Sequence, residues 1–149
     1  MFRILLFLSV LMNFTATYSQ SKKTIDSINT LYVQGLNIPQ DSIVALFQKN
    51  LKDAEKISYE LGMAGAHSQL SLVYAYQGKY EESTKSSIDG IKIYEKLNQL
   101  DRVADYYAEM GYSMKYRDLD KALYYMQKGK AIAEAIKSWT APFSILKKD

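Results

Sequence analysis

The sequence predicts an all-α fold in which antiparallel helical hairpins stack side by side. Apolar residues recur every three or four positions through most of the chain, as they do along one face of an α-helix. No segment shows the sustained alternation of apolar and polar residues that is typical of a half-buried strand. Two stretches, 63–74 and 103–114, also align without a gap at a spacing of 40 residues, which indicates a repeated structural unit.

The amino-acid composition is that of a globular chain and excludes several classes of protein. The 149 residues are 48% apolar and 23% charged, with seven Gly, two Pro and no Cys. Without cysteine there can be no disulfide scaffold, no zinc site with Cys ligands and no Cys nucleophile. The formal net charge is +3 and the basic residues are dispersed, so we expect no nucleic-acid partner.

The first element, residues 1–19, is predicted to be a secretory signal peptide. Arg3 precedes an apolar run of nine residues, 4–12, and small residues, Thr17 and Ser19, stand at both ends of the triplet before the expected cleavage point after Ser19. Nine residues of helix rise only about 14 Å, which is too little to cross about 30 Å of hydrocarbon. We therefore expect an exported chain, periplasmic or secreted after cleavage, with no membrane span in its mature form.

Six helices are predicted after the signal peptide. Residues 20–41 are expected to form an N-terminal helical cover, in which a helix at about 23–34 shields the first hairpin with its apolar side chains. Residues 42–138 are expected to form the repeat array, because the 40-residue spacing continues through them. The helices of the array are expected at about 42–61, 63–77, 80–97, 101–116 and 119–137.

Residues that favour turns and caps separate these helices. Three residues that tolerate positive φ are expected at helix C-termini: Gly35, Gly62 and Asn98. Three aspartates are expected to accept a first-turn N–H as N-caps: Asp41, Asp101 and Asp118. Gly78 is predicted to lie in the turn of the first hairpin, and the corresponding turn of the second hairpin, at 117–119, is predicted to be one residue shorter.

Small side chains recur at equivalent positions of the two copies. Ser71 and Gly111 are expected to allow the two helices of each hairpin to approach to about 8–10 Å. Gly90 and Gly129 are expected to admit the first helix of the next repeat.

At these positions the chain resembles the tetratricopeptide repeat (TPR) family. The resemblance is carried by Leu70 to Tyr74, Gln77 to Ser83, Met110-Gly111 and Asp120 to Leu123. It covers about residues 42–138 and is similar to the 40-residue repeats of secreted TPR proteins and of sensor regions in bacterial histidine kinases and regulators. It implies a short right-handed solenoid whose first helices line a concave groove that receives peptides.

Tyrosines and polar residues on the first helix of each repeat are the candidate groove residues. They are Ser68, Leu72 and Tyr76 in one repeat, and Asp105, Tyr112, Lys115 and Tyr116 in the next. Tyrosine gives a large, rigid contact that keeps a polar group, which suits recognition, while Asp105 and Lys115 would select charge. The alternative is that these tyrosines only cover exposed helix surface.

The sequence offers no arrangement that is typical of catalysis. His67, the only histidine, lies on the packing stripe with Leu70 and Tyr74, so we expect it in the core. A second histidine for a metal pair is missing, and no nucleophile or phosphate-binding motif is present. We therefore expect a protein that is not an enzyme and that uses no metal or cofactor.

Residues 139–149 are predicted to be a C-terminal tail or an incomplete next repeat. Their apolar side chains could fold back as a cap, dock a partner or a second copy, or belong to a shortened version of a longer receptor. The function expected from the sequence is an exported module that binds a protein or peptide segment. The alternative is a sensory input domain, intact or truncated, of a histidine-kinase or transcription-regulator receptor.

Overall fold

The structure, a computed structural model, describes residues 18–31 and 39–145. All regular secondary structure in these two ranges is α-helical, as predicted. The helices are α1 (18–29), α2 (Gln40–Lys56), α3 (Glu60–Tyr76), α4 (Tyr80–Lys96), α5 (Leu100–Met114) and α6 (Leu119–Ile145). None of these six combines the length and hydropathy that crossing a membrane requires. Most of the predicted signal peptide, and also Gly35, lie outside the described residues.

The 40-residue spacing is a spacing of helices and turns. Helices α2 and α4 begin and end 40 residues apart, and α3 and α5 begin 40 residues apart. The turns that follow α2 and α4 each contain one residue with positive φ, Ser58 at 51° and Asn98 at 55°. In both turns the next N–H, that of Tyr59 or Gln99, donates to a carbonyl five residues earlier at 2.9 Å. The repeated unit is therefore a helix together with its turn.

The expected end of α2 at Gly62 is wrong. Helix α2 ends at Lys56, and Ser58 takes the positive φ that was assigned to Gly62. Gly62 instead lies buried in the first turn of α3, where a Cβ would be 2.8 Å from Cγ2 of Ile25. Its lack of a side chain serves the close approach of α1.

Only one of the three predicted N-caps forms. The Lys121 N–H donates to Oδ1 of Asp118 at 3.0 Å, as expected of a cap on α6. Asp41 and Asp101 lie within the first turns of α2 and α5, whose N-cap residues are Pro39 and Gln99 and make no side-chain capping bond. These two carboxylates act on the positive end of the helix dipole instead.

Antiparallel pairs α3–α4 and α5–α6 are held by small residues. In the first pair, the Ser71 hydroxyl shares hydrogen bonds with Ser83 and Ser87, at 3.2 and 2.6 Å. In the second, a Cβ on Gly111 would be 2.7 Å from the carbonyl oxygen of Ala122. This confirms the role expected of Ser71 and Gly111.

Gly129 makes its close contact within its own hairpin, a role that the sequence did not predict. A Cβ on Gly129 would be 2.7 Å from the carbonyl oxygen of Ala104, inside its own hairpin. A Cβ on Gly90 would be 3.0 Å from Cε1 of Tyr106 in the next hairpin and 3.6 Å from the carbonyl oxygen of Ala64 in its own. Both glycines thus allow the two helices of their own hairpin to pack closely, and Gly90 also allows close packing against the next hairpin.

Helix α5 joins the two hairpins through buried tyrosines. The Tyr106 hydroxyl donates to the carbonyl oxygen of Ala64 in α3 at 3.2 Å, and its ring meets the edge of Tyr94 in α4 at 5.4 Å between centroids. Val103 and Tyr107 are buried in the same cluster. At the other end of the chain, Asn29 of α1 accepts hydrogen bonds from α2 and α3.

The second hairpin departs from the expected bounds at two places. Helix α5 ends at Met114 and residues 115–118 form the turn, so the missing residue comes from a shorter helix and not from a shorter turn. Helix α6 continues to Ile145, eight residues past the expected end at 137. Lys137 occupies the place of Asn98 in the repeat, and lysine tolerates the positive φ of a helix-ending turn less well than asparagine does.

Candidate functional site

Large apolar side chains are exposed at the same two positions of successive repeats. In α3, Leu72 and Tyr76 are 43% and 54% exposed. Forty residues later, Tyr112 and Tyr116 are 64% and 89% exposed. Tyr112 lies in the last turn of α5, whereas Tyr116 lies in the connection to α6 and not in the helix predicted for it.

Ser68 lies at the contact between helices α3 and α5. Its side chain is half-buried and is hydrogen-bonded to the Tyr106 hydroxyl. Burial raises the pKa of Tyr106 far above its usual range, so that hydroxyl stays protonated. Ser68 therefore supports the contact between the two helices, and the exposed residues lie to one side of it.

Lys115 brings the two tyrosines of the second repeat together. Its Nζ lies 3.6 Å from the centroid of the Tyr112 ring and 4.7 Å from that of the Tyr116 ring. The nearby ammonium group lowers the pKa of the Tyr112 hydroxyl. An ammonium over an aromatic face is attracted by the ring quadrupole, so the three predicted residues form one cation–π group.

Asp105 belongs to a row of carboxylates on α5. Asp101, Asp105 and Glu109 are spaced by four residues and are all exposed. Partial desolvation and the Asp105 carboxylate raise the pKa of Glu109, while Arg102 opposes that shift. Asp101 and Glu109 were not among the predicted site residues, although their four-residue spacing from Asp105 places them on its face of the helix.

The exposed leucine and tyrosines, together with Asp105, Glu109 and Lys115, are called the α3–α5 surface below. Its leucine and tyrosines are Leu72, Tyr76, Tyr112 and Tyr116.

His67 lies apart from this surface. His67 is half-buried, and a Cβ added to Gly90 of α4 would lie 3.4 Å from the Cβ of His67. Its Nδ1 is buried and finds no hydrogen-bond partner among the described residues. Burial lowers the pKa of the imidazole, and Asp89 and Glu55 oppose that shift. Across residues 18–31 and 39–145, no three His, Asp or Glu side chains form a set that could hold a metal ion.

A concavity of about 690 Å³ lies between α4 and α6. Its walls include Tyr80, Ile88 and Tyr125. Most of its charged groups are bonded within the chain. The Arg117 guanidinium lies 3.0 Å over the Tyr80 ring, and the pairs Lys92–Asp89 and Lys121–Asp118 are closed at 3.1 and 2.9 Å. This cleft could not be predicted from the sequence, because its two sides come from helices far apart in the chain.

Comparisons of the chain with protein-family models, with curated proteins and with solved structures each found no match. Inference about function therefore depends on the geometry of the chain itself.

Proposed function

We propose that the chain is an exported, non-catalytic binding module of the tetratricopeptide-repeat type. In this proposal the two hairpins stack as a right-handed solenoid, and the α3–α5 surface lines its concave face and captures a peptide or protein segment. The observation that carries the proposal is the exposure of Leu72 and Tyr112, and of Tyr76 and Tyr116, at equivalent repeat positions.

The physical argument concerns the position and chemistry of these side chains. Single exposed apolar residues are normal on a protein surface, but contiguous apolar patches mark interaction sites. Contact between α3 and α5 through Tyr106 and Ala64 supports placing the two exposed sets side by side. Tyrosine also binds with both its ring and its hydroxyl, which suits a segment with mixed side chains.

The test is selection of a random peptide library on the purified chain, followed by affinity measurements. Binding of the selected peptides should fall about tenfold or more in Tyr112→Ala with Tyr116→Ala, as expected when central aromatic contacts are removed. The unfolding temperature of this double variant should hardly change, because both rings are exposed.

Tyr124→Ala is the matched control, since Tyr124 is 58% exposed on α6, outside the α3–α5 surface. Selected peptides that bind the double variant as tightly as the parent chain would contradict the proposal.

A further inference from the structure

Charge is distributed unevenly over the α3–α5 surface and beside it. Asp101, Asp105 and Glu109 follow one another along α5, and no lysine or arginine among the described residues lies within 4.0 Å of their carboxylates. Elsewhere in the described chain, Asp53 and Asp89 each hold a lysine at 2.6–3.1 Å. The carboxylates next to the exposed tyrosines thus keep their charge available.

Other groups nearby offset this charge only in part. Arg102 is close enough to Glu109 to lower its pKa somewhat, against the stronger effects of desolvation and Asp105. Leu72 and Tyr76, the exposed α3 residues of this surface, are uncharged. The three carboxylates Asp101, Asp105 and Glu109 outnumber Arg102, so this part of α5 carries a net negative charge.

The tyrosines already hold one cation. The Lys115 ammonium lies over Tyr112 and Tyr116, at 3.6 and 4.7 Å from the ring centroids. Both rings remain largely exposed, so a second chain can reach them. Among the described residues Lys115 is held only by this local contact, and a cation–π contact between exposed groups is weak. A lysine or arginine of a ligand could therefore take its place.

We propose that the segment held by the α3–α5 surface is cationic, with lysine or arginine side chains over Tyr112 and Tyr116 and beside Asp105 and Glu109. This inference depends on the proposed function, because it names the chemistry of the ligand that the same surface holds. Charge complementarity and the cation already present between the tyrosines both favour it over an acidic segment.

The helix geometry also sets a spacing for the ligand. Asp105 and Tyr112 are seven residues apart in α5, a rise of about 10 Å. A segment in the polyproline II conformation covers that distance in about three residues and brings every third side chain to the same side. A segment that runs along α5 would therefore present two basic residues three positions apart, one to the carboxylates and one to the tyrosines.

The test uses three synthetic peptides with a shared Leu-Tyr core. They carry Lys, Gln or Glu at two positions three residues apart, and their binding to the purified chain is measured by fluorescence anisotropy. The Lys peptide should bind most tightly and the Glu peptide least, and the difference should shrink as salt is added. Tighter binding of the Glu peptide would overturn the inference.

Variants of the chain give a second measurement with opposite signs. Asp105→Asn and Glu109→Gln should each weaken the Lys peptide about two- to threefold, the size of an exposed ion pair. Lys115→Gln should strengthen it, because a competing cation is removed. Asp120→Asn, an exposed carboxylate on α6, is the control and should have no effect.

The outcomes separate this inference from the proposed function. Weaker binding of the Lys peptide to Lys115→Gln would overturn the cationic ligand and leave the binding surface standing, provided that binding still depends on Tyr112. If none of the three peptides binds although peptides selected from the library do, the inference fails and the proposed function stands. If binding of the selected peptides ignores Tyr112→Ala with Tyr116→Ala, both proposals fail together.

Discussion

Buried polar side chains hold the first helices of this chain close to one another. The Asn50 side chain is 1% exposed and donates from Nδ2 to the carbonyl oxygen of Ile25 at 3.1 Å and to Oδ1 of Asn29 at 2.8 Å. The Ser71–Ser87 hydroxyl contact does the same between α3 and α4. Each of these bonds satisfies a polar group that would otherwise be costly to bury. His67 is different, because its buried Nδ1 has no such partner in the described chain.

We predict that His67 makes the stability of the fold depend on pH. Because its folded pKa is lowered below the ordinary value of 6.5, the unfolded chain binds the proton more readily. Stability should therefore be complete above pH 6.5 and fall as the pH drops through the folded pKa. The unfolding temperature should fall by a few degrees over this window, measured by circular dichroism.

His67→Gln is the comparison for this measurement, because glutamine keeps a polar side chain without titrating. As the pH falls from 7 to 5, the unfolding temperature of the parent chain should fall relative to that of the variant. Curves that stay parallel from pH 7 to pH 5 would show that the imidazole titrates normally in the folded state.

At the scale of the elements, two turns with positive φ set the length of α2 and α4. Ser58 and Asn98 hold the same place in the repeat, at 51° and 55°. For residues other than glycine, this backbone conformation costs about 1–2 kcal/mol of free energy, although asparagine tolerates it better than most. The turn after α2 is therefore the more strained of the two.

We predict that Ser58→Gly raises the free energy of unfolding by about 1 kcal/mol, measured by urea denaturation, because glycine adopts positive φ without a steric penalty. Asn98→Gly should give a smaller gain. Ser42→Gly, inside α2, is the control and should lower stability by about 0.5 kcal/mol. A loss at Ser58 as large as the loss at Ser42 would contradict the assigned turn.

At the scale of the whole molecule, the second helices of the two hairpins, α4 and α6, differ at equivalent positions. Ile91 and Tyr94 of α4 are buried beneath α5. The positions 39 residues later in α6 are Lys130 and Ala133, and both are exposed. The two apolar side chains that pack beneath α5 in the first hairpin are thus replaced by a charged and a small residue in the second.

We predict that Lys130→Ile with Ala133→Tyr makes the chain self-associate in a concentration-dependent way, since it restores the apolar face that α4 uses. Light scattering after size-exclusion chromatography would measure the mass. Ala131→Tyr, which adds an exposed tyrosine on a different side of α6, should leave the mass unchanged. An unchanged mass for the double variant would mean that these two positions do not decide stacking.

The sequence by itself determined the all-α class, the 40-residue spacing and the positions of the exposed tyrosines in that spacing. These features depend on apolar periodicity and on backbone hydrogen bonds that join residues four apart. Residues close together in the sequence therefore determine them. The roles of Ser71 and Gly111 could be predicted for the same reason, since small residues at equivalent positions indicate close contact.

Only the tertiary structure decided that Ser58 and not Gly62 ends the second helix, and that α6 continues to Ile145. It also decided that Ser68 meets Tyr106 and that the carboxylates of α5 have no lysine partner within the part of the chain that the structure describes. These outcomes depend on side chains that are distant in the sequence and meet only when the helices pack. Backbone conformation and charge at such contacts depend on which helices pack together and how closely. The apolar periodicity along one helix does not predict this.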